Sequence, residues 1–288
     1  MNNNFFVKSH GLGNDYIVMD SHKTDFEFTV KNIQLICDVH YGIGSDGILV
    51  LVDSAKADFG LRILNPDGSE AEKSGNGLRI FAKFLFDYGY TNNTSFSIDT
   101  LGGVVQAEVI QQEKGKARMI KVDMGAAIFE AERVPVKSEQ DECLDELLEL
   151  DGTSYRINCV SVGNPHCVVI KDDLVVDEIM KYGSQIENHP KFPNRINVQF
   201  AKVVSPDLVE ILIWERGAGW TLASGSSSSA VAAVMVKKGL TNRKLTLKMP
   251  GGELKLEIDE DWQIHMTGEV REICSGVLSA ELLDELKN

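Results

Sequence analysis

The chain has 288 residues, 43% of them hydrophobic, five cysteines and a formal net charge of −14. That length and apolar content can fill one large domain or two ordinary ones without staples, while the acidic balance, unrelieved by any block of Lys and Arg, argues against nucleic acid as a partner. The longest uncharged apolar runs, "GILVLV" and "AVAAVMV", fall far short of the roughly 20 residues that span a bilayer, and the odd cysteine count with no apolar leader in "MNNNFFVKSHGLG" predicts a cytoplasmic protein with a small-molecule partner, no membrane and no disulfide framework.

Near the start, "GLGNDY" carries Asn14 before Asp, a turn context. Cys37 and His40 have metal-like spacing but no second pair, so no metal is expected. "GIGSDG", residues 42–47, matches G-x-G-x-x-G yet leads into the strand-like "ILVLV" and not into a helix, which predicts a turn and no dinucleotide cofactor. "NPDGSE" places Asn65 in a further turn. In "EKSGNGLRIFAKFLFDYG", Ser74 and two glycines precede apolar residues at helical spacing. Ile80, Phe81, Phe84 and Leu85 cover most of that helix, and Arg79, Lys83 and Asp87 form one polar line. Gly89 supplies the left-handed cap. A strand, a Gly-Gly and a second strand follow in "SFSIDTLGGVVQAEVI".

A seam is expected in "KGKARMI", near residues 115 to 120. It gives an N-terminal lobe over 1–118, completed by the C-terminal segment 270–288, and a second lobe over 119–269. Beyond it, "SVGNPHC" carries Asn164 and His166, "FPNRINV" carries Asn197, and "WERGAG" carries Glu215 and Arg216. A second helix opens after Ser224, with nothing charged between Ala230 and Val236 and with Lys237 and Lys238 in its last turn, where cations complement the dipole. It ends at Gly239, and "KLTLKMPGGELKLEID" repeats the strand, Gly-Gly, strand pattern.

Four landmarks share one offset: Asn14 with Asn164, Asn65 with Glu215, Ser74 with Ser224 and Gly89 with Gly239 are each 150 positions apart. Four coincidences in register indicate duplication. A buried helix among short alternating strands predicts an α+β fold of two pseudo-symmetric lobes, each a curled, mostly antiparallel sheet around a central helix. A serine before a helix is first of all an N-cap. Two at related positions, each followed by Gly and small residues, also expose N–H groups and a positive dipole end to whatever lies between the lobes, which suits a carboxylate. No G-x-S-x-G elbow surrounds either serine, so a serine hydrolase is not supported.

Taken in order, "GLGNDY", "NPDGSEAEKSGNGLR", "VSVGNPHCV", "FPNRINV", "WERGAGWTLASG" and "TGEVREI" resemble the diaminopimelate epimerases over nearly the whole chain. The resemblance implies two lobes clasping an amino acid and inversion at Cα by a two-base mechanism, with neither pyridoxal phosphate nor metal. By matched position it implies that Asn14, Asn65, Asn164 and Asn197 bind the distal amino and carboxylate groups, with Glu215 and Arg216 around the same end. Gly75, Asn76, Gly225 and Ser226 would present N–H groups to the α-carboxylate, and His166 and Glu215 would tune the acid and base. How many chains assemble is left open, a homodimer included.

The family's two catalytic positions are cysteines, and here they are Ser74 and Ser224. A thiol has a pKa of about 8.5 and a hydroxyl lies nearer water's roughly 15.7, a gap on the order of 10 kcal/mol that one helix dipole does not close. The expectation is an inactive, trapped form that binds but scarcely turns over. Trp220, where the family commonly has Glu, and Ser227, Ser228 and Ser229, in place of a more usual Gly-Ala-Cys, keep two alternatives open: a racemase of another amino acid such as histidine, or a noncatalytic amino-acid binder.

Overall fold

The structure, a computed structural model, describes residues 3–287. The fold is mixed α/β and mostly sheet, with five α-helices among the described residues. None of these helices is long and apolar enough to cross a membrane. Internal contacts divide the chain into two units, Met1–Val122 with Gly268–Asn288, and Asp123–Thr267.

In the first unit, β1 (Phe5–Gly11) and β2 (Asn14–Asp20) form a hairpin, and α1 (Val30–Cys37) carries the chain to β3 (Ile48–Val52), which lies parallel to β2. The run "ILVLV" is apolar throughout because most of this strand is buried on both faces, as parallel strands are. Next, β4 (Phe59–Leu64) pairs antiparallel with β3, and β5 (Glu70–Ala71) pairs with β4 and leads into α2 (Gly75–Asp87). After α2, β6 (Ser95–Thr100) joins β4 in parallel, followed by β7 (Gly103–Glu113) and β8 (Lys116–Ala126). The Gly-Gly expected between two strands is the tight β6–β7 turn, Thr100 pairing with Gly103.

The second unit repeats this wiring. Its strands β9 (Glu146–Leu150), β10 (Thr153–Ser161) and β11 (Pro165–Ile170) are antiparallel neighbours. Then α3 (Val176–Glu187) leads to β12 (Asn197–Ser205), parallel to β11. Antiparallel to β12 comes β13 (Leu208–Glu215), and β14 (Gly219–Thr221) delivers the chain to α4 (Gly225–Lys237). Finally β15 (Lys244–Met249) lies parallel to β13, with β16 (Gly252–Ile258) and β17 (Gln263–Glu269) after it. Along β16, Leu254, Leu256 and Ile258 alternate inward, the period-2 signature of a one-sided strand. The chain returns to the first unit, where β18 (Arg271–Val277) pairs with β1 and α5 (Ala280–Leu286) packs its leucines on the cluster around Ile33 and Ile36.

Each unit holds one buried helix. α2 packs against β1, β2 and β7, and α4 against β10, β11, β12, β15 and β16. Both close in the same way: Gly89 has φ +73° and Gly239 φ +67°, with Tyr90 N bonded to Leu85 O and Leu240 N to Met235 O, both at 3.0 Å. The polar line of α2 does not face solvent. Lys83 and Asp87 form a buried 2.6 Å ion pair, and together they grip the backbone of Ala117 on β8, Lys83 donating to its carbonyl and Asp87 accepting from its N–H.

Candidate active site

The mouth of α2 is built from β2 and the helix itself. Ser74 is extended and caps the helix, its Oγ accepting from Gly77 N at 3.1 Å. The first intrahelical bond runs from Leu78 N to Ser74 O, so the N–H groups of Gly75 and Asn76 lie ahead of the ladder at the positive dipole end. Around them the sequence-predicted residues meet: Asn76 Nδ2 donates to Asn14 Oδ1 at 3.1 Å, and Asn14 Nδ2 donates to Asp46 Oδ2 at 2.8 Å. Asn65 stands apart from these bonds; its side chain closes its own turn by donating to Ser69 Oγ at 3.0 Å. Tyr16, not foreseen, brings its hydroxyl to 3.4 Å from Ser74 Oγ. A signal for it existed, since the offset that pairs Asn14 with Asn164 also pairs Tyr16 with His166. The ring lies over Gly47, where a Cβ would stand 2.8 Å from Tyr16 Cε1.

The mouth of α4 has the same backbone and other side chains. Ser224 caps the helix, its Oγ accepting from Ser227 N at 3.4 Å and lying 3.4 Å from Ser226 Oγ. Its hydroxyl also bonds the carboxyl of Glu215; burial pushes that carboxyl above the ordinary carboxylate range, and the Ser224 bond pulls it back in part. His166 is fully buried. Its Nε2 lies 2.8 Å from Asn164 Oδ1 and its Nδ1 3.0 Å from Gln199 Nε2, which donates in turn to Ser227 Oγ at 3.0 Å. An amide oxygen on one side and an amide N–H on the other specify the neutral Nε2–H tautomer. Burial, aided by the charge of Arg216, pushes the His166 pKa down to about 3. The neutral ring thus donates from Nε2 to Asn164 Oδ1 and orients that amide.

Arg216 and Asn197 are linked by backbone: Arg216 N donates to Asn197 Oδ1 at 3.0 Å, while Asn197 Nδ2 donates to Pro165 O at 2.9 Å. The Arg216 guanidinium donates to Asn194 O at 3.1 Å. The turn that carries Glu215 and Arg216 is anchored by buried Glu187, which accepts from Gly217 N, Trp214 Nε1 and Arg195. Nothing local in the sequence marks Glu187 or Gln199: Arg195 is 8 residues from Glu187, and their other partners lie 27 to 33 residues away. Trp220 is partly buried, packs against the core cluster of its own unit and faces Trp214 across the β13–β14 ladder.

Among solved structures, the fold is that of racemases, epimerases and related isomerases. A hydroxyproline epimerase from Agrobacterium vitis matches with TM-score 0.69 and 14% identity, covering 94% of this chain and 90% of that one. A methylitaconate-delta-isomerase matches at 0.66 and 14%, covering 97% and 96%. At such identities the likeness concerns the fold. Sequence carries it further: the diaminopimelate epimerase family profile matches residues 6–130 and 158–273. The chain is 46% identical to diaminopimelate epimerase 2 of Nostoc sp. over 278 residues, 96% of each chain. It is 41% identical to the diaminopimelate epimerase of Acetivibrio thermocellus, over 94% of this chain and 97% of that one. The chain belongs to the diaminopimelate epimerase family.

Proposed function

We propose that this chain is a cofactor-independent amino-acid epimerase of the diaminopimelate type, interconverting LL- and meso-2,6-diaminopimelate, in a form held nearly inactive by Ser74 and Ser224. The observation that carries the reading is the 46% identity to a diaminopimelate epimerase over 96% of both chains. The shared order of elements in the two units supports reading them as duplicated lobes, each a curled, mostly antiparallel sheet around one helix. The cytosol is the compartment in which five free cysteines stay reduced.

Inversion at Cα needs a base on one face and an acid on the other, and in this reading positions 74 and 224 supply them. The N–H groups of Gly75, Asn76, Gly225 and Ser226 receive the α-carboxylate, while Asn14, Asn65, Asn164, Asn197 and Arg216 hold the distal end. Both hydroxyls keep the capping geometry, so the sites retain shape and lose only groups that titrate near neutrality. Glu215 keeps its contact with position 224 and His166 holds Asn164 in place.

Changing Ser74 and Ser224 together to Cys is expected to restore epimerisation and wash-in of solvent deuterium at Cα of diaminopimelate, by a factor of roughly 10⁴ or more given the pKa gap. Either single change recovers much less. A double variant that binds diaminopimelate yet exchanges no α-proton between pH 7 and 9 would overturn the epimerase reading in favour of an amino-acid binder. Exchange with histidine alone would move the substrate to another amino acid.

A further inference from the structure

Among the described residues, Arg79 is the largest fully buried side chain, and no carboxylate pairs with it. Its Nη2 donates to Asn76 Oδ1, whereas Nε and Nη1 have no partner among the described residues. A position needed only for packing would be filled better by Met or Leu, without the desolvation of a guanidinium. The polar link is therefore what the residue supplies. Space is kept for that link: a Cβ on Gly11 would stand 3.2 Å from Arg79 Nη2 and 3.4 Å from Asn76 Oδ1.

From Arg79 the bonds run in one direction. Arg79 donates to Asn76 Oδ1, Asn76 Nδ2 donates to Asn14 Oδ1, and Asn14 Nδ2 donates to the Asp46 carboxylate. A side-chain amide can normally be turned over with little penalty, but here one end of the chain is donor-only and the other acceptor-only. Flipping either amide would set N–H against N–H or oxygen against oxygen. The aligned amides also polarise one another. At the corresponding place in α4, 150 residues on, stands Ser229, whose buried hydroxyl has no partner among the described residues.

We propose that Arg79 is a positioning residue: with Asp46 at the far end, it fixes the amide polarity of Asn76 and Asn14, so that the mouth of α2 offers an acceptor ligand N–H groups and not carbonyl oxygens. The ligand is a carboxylate of the bound amino acid, which rests on the function proposed above; the relay itself does not.

The test uses the full chain labelled with ¹⁵N-asparagine and the variants Arg79→Met, Arg79→Lys and Asp46→Asn. Without ligand, Asp46→Asn is expected to shift the side-chain NH₂ signals of both Asn14 and Asn76, and Arg79→Met to shift the same two pairs, with Lys restoring them in part. In calorimetry with meso-diaminopimelate, Met and Asn each weaken binding by about tenfold, the size of one charge-assisted bond, and together by scarcely more, because they break one relay. Where both variants fold, losses that multiply in the double variant overturn the proposal; should Arg79→Met fail to fold, exposed Asp46 still decides, because Asn76 signals unmoved in Asp46→Asn overturn it on their own. Coupled NH₂ signals in a protein that binds no diaminopimelate uphold the relay and count against the substrate.

Discussion

The mouths of α2 and α4 share a backbone and differ in chemistry. Each helix is 13 residues long, begins on a serine cap and ends on a glycine in the left-handed region. Yet α2 encloses a cation, a directed pair of amides and a buried ion pair, whereas α4 opens with Ser226 to Ser229, takes a protonation-prone carboxyl onto its cap and stands beside a neutral imidazole. Caps and turns preserve a backbone whichever side chains fill it. Electrostatics, set residue by residue, can diverge on the same frame.

The largest expected difference between the helices lies in their charges. Asp87→Asn leaves Lys83 buried and unpaired and is expected to cost about 3 to 5 kcal/mol in urea unfolding. At Lys237, the place in α4 that matches Asp87, the partner Glu142 is partly exposed, and Lys237→Met should cost no more than about 1 kcal/mol beyond lost packing on Phe129 and Trp262. Equal losses would remove the distinction.

The next effect depends on pH. The His166 pKa is about 3 in the folded chain and about 6.5 in the unfolded one, so the folded state favours the neutral ring. Its contribution is fully present above about pH 6.5 and is lost as pH falls toward 3, by up to roughly 1.4 kcal/mol per pH unit. Unfolding free energies measured from pH 7 to 4 should fall along that limb, and His166→Gln should flatten it. An unchanged slope would mean that the ring is already solvated.

The smallest effect tests sameness. Nothing lies within 4 Å of a Cβ built on Gly89 or on Gly239, so alanine at either meets only backbone strain. Each substitution is expected to cost about 1 to 2 kcal/mol. A difference between them well above about 0.5 kcal/mol, read from urea midpoints, would show that the two helix ends are not equivalent.

Residues 75–87 and 225–237 were legible as helices, together with their serine caps, their terminal glycines and the two Gly-Gly turns, because each of these depends on neighbours within about four residues. Asn14, Ser74, Gly75 and Asn76 were legible as site candidates through the repeat and the family resemblance, but that Asn14 bonds Asn76 was not. Tertiary structure alone decided that the polar line of α2 turns inward onto Ala117, that β2 and β3 run parallel across α1, and that Asp46 and Arg79 hold the two asparagines from opposite ends. It likewise placed Tyr16 on Ser74 and Gln199 between His166 and Ser227. The reason is physical. A buried donor or charge must find its partner somewhere, but only the packed chain determines which distant residue arrives to meet it.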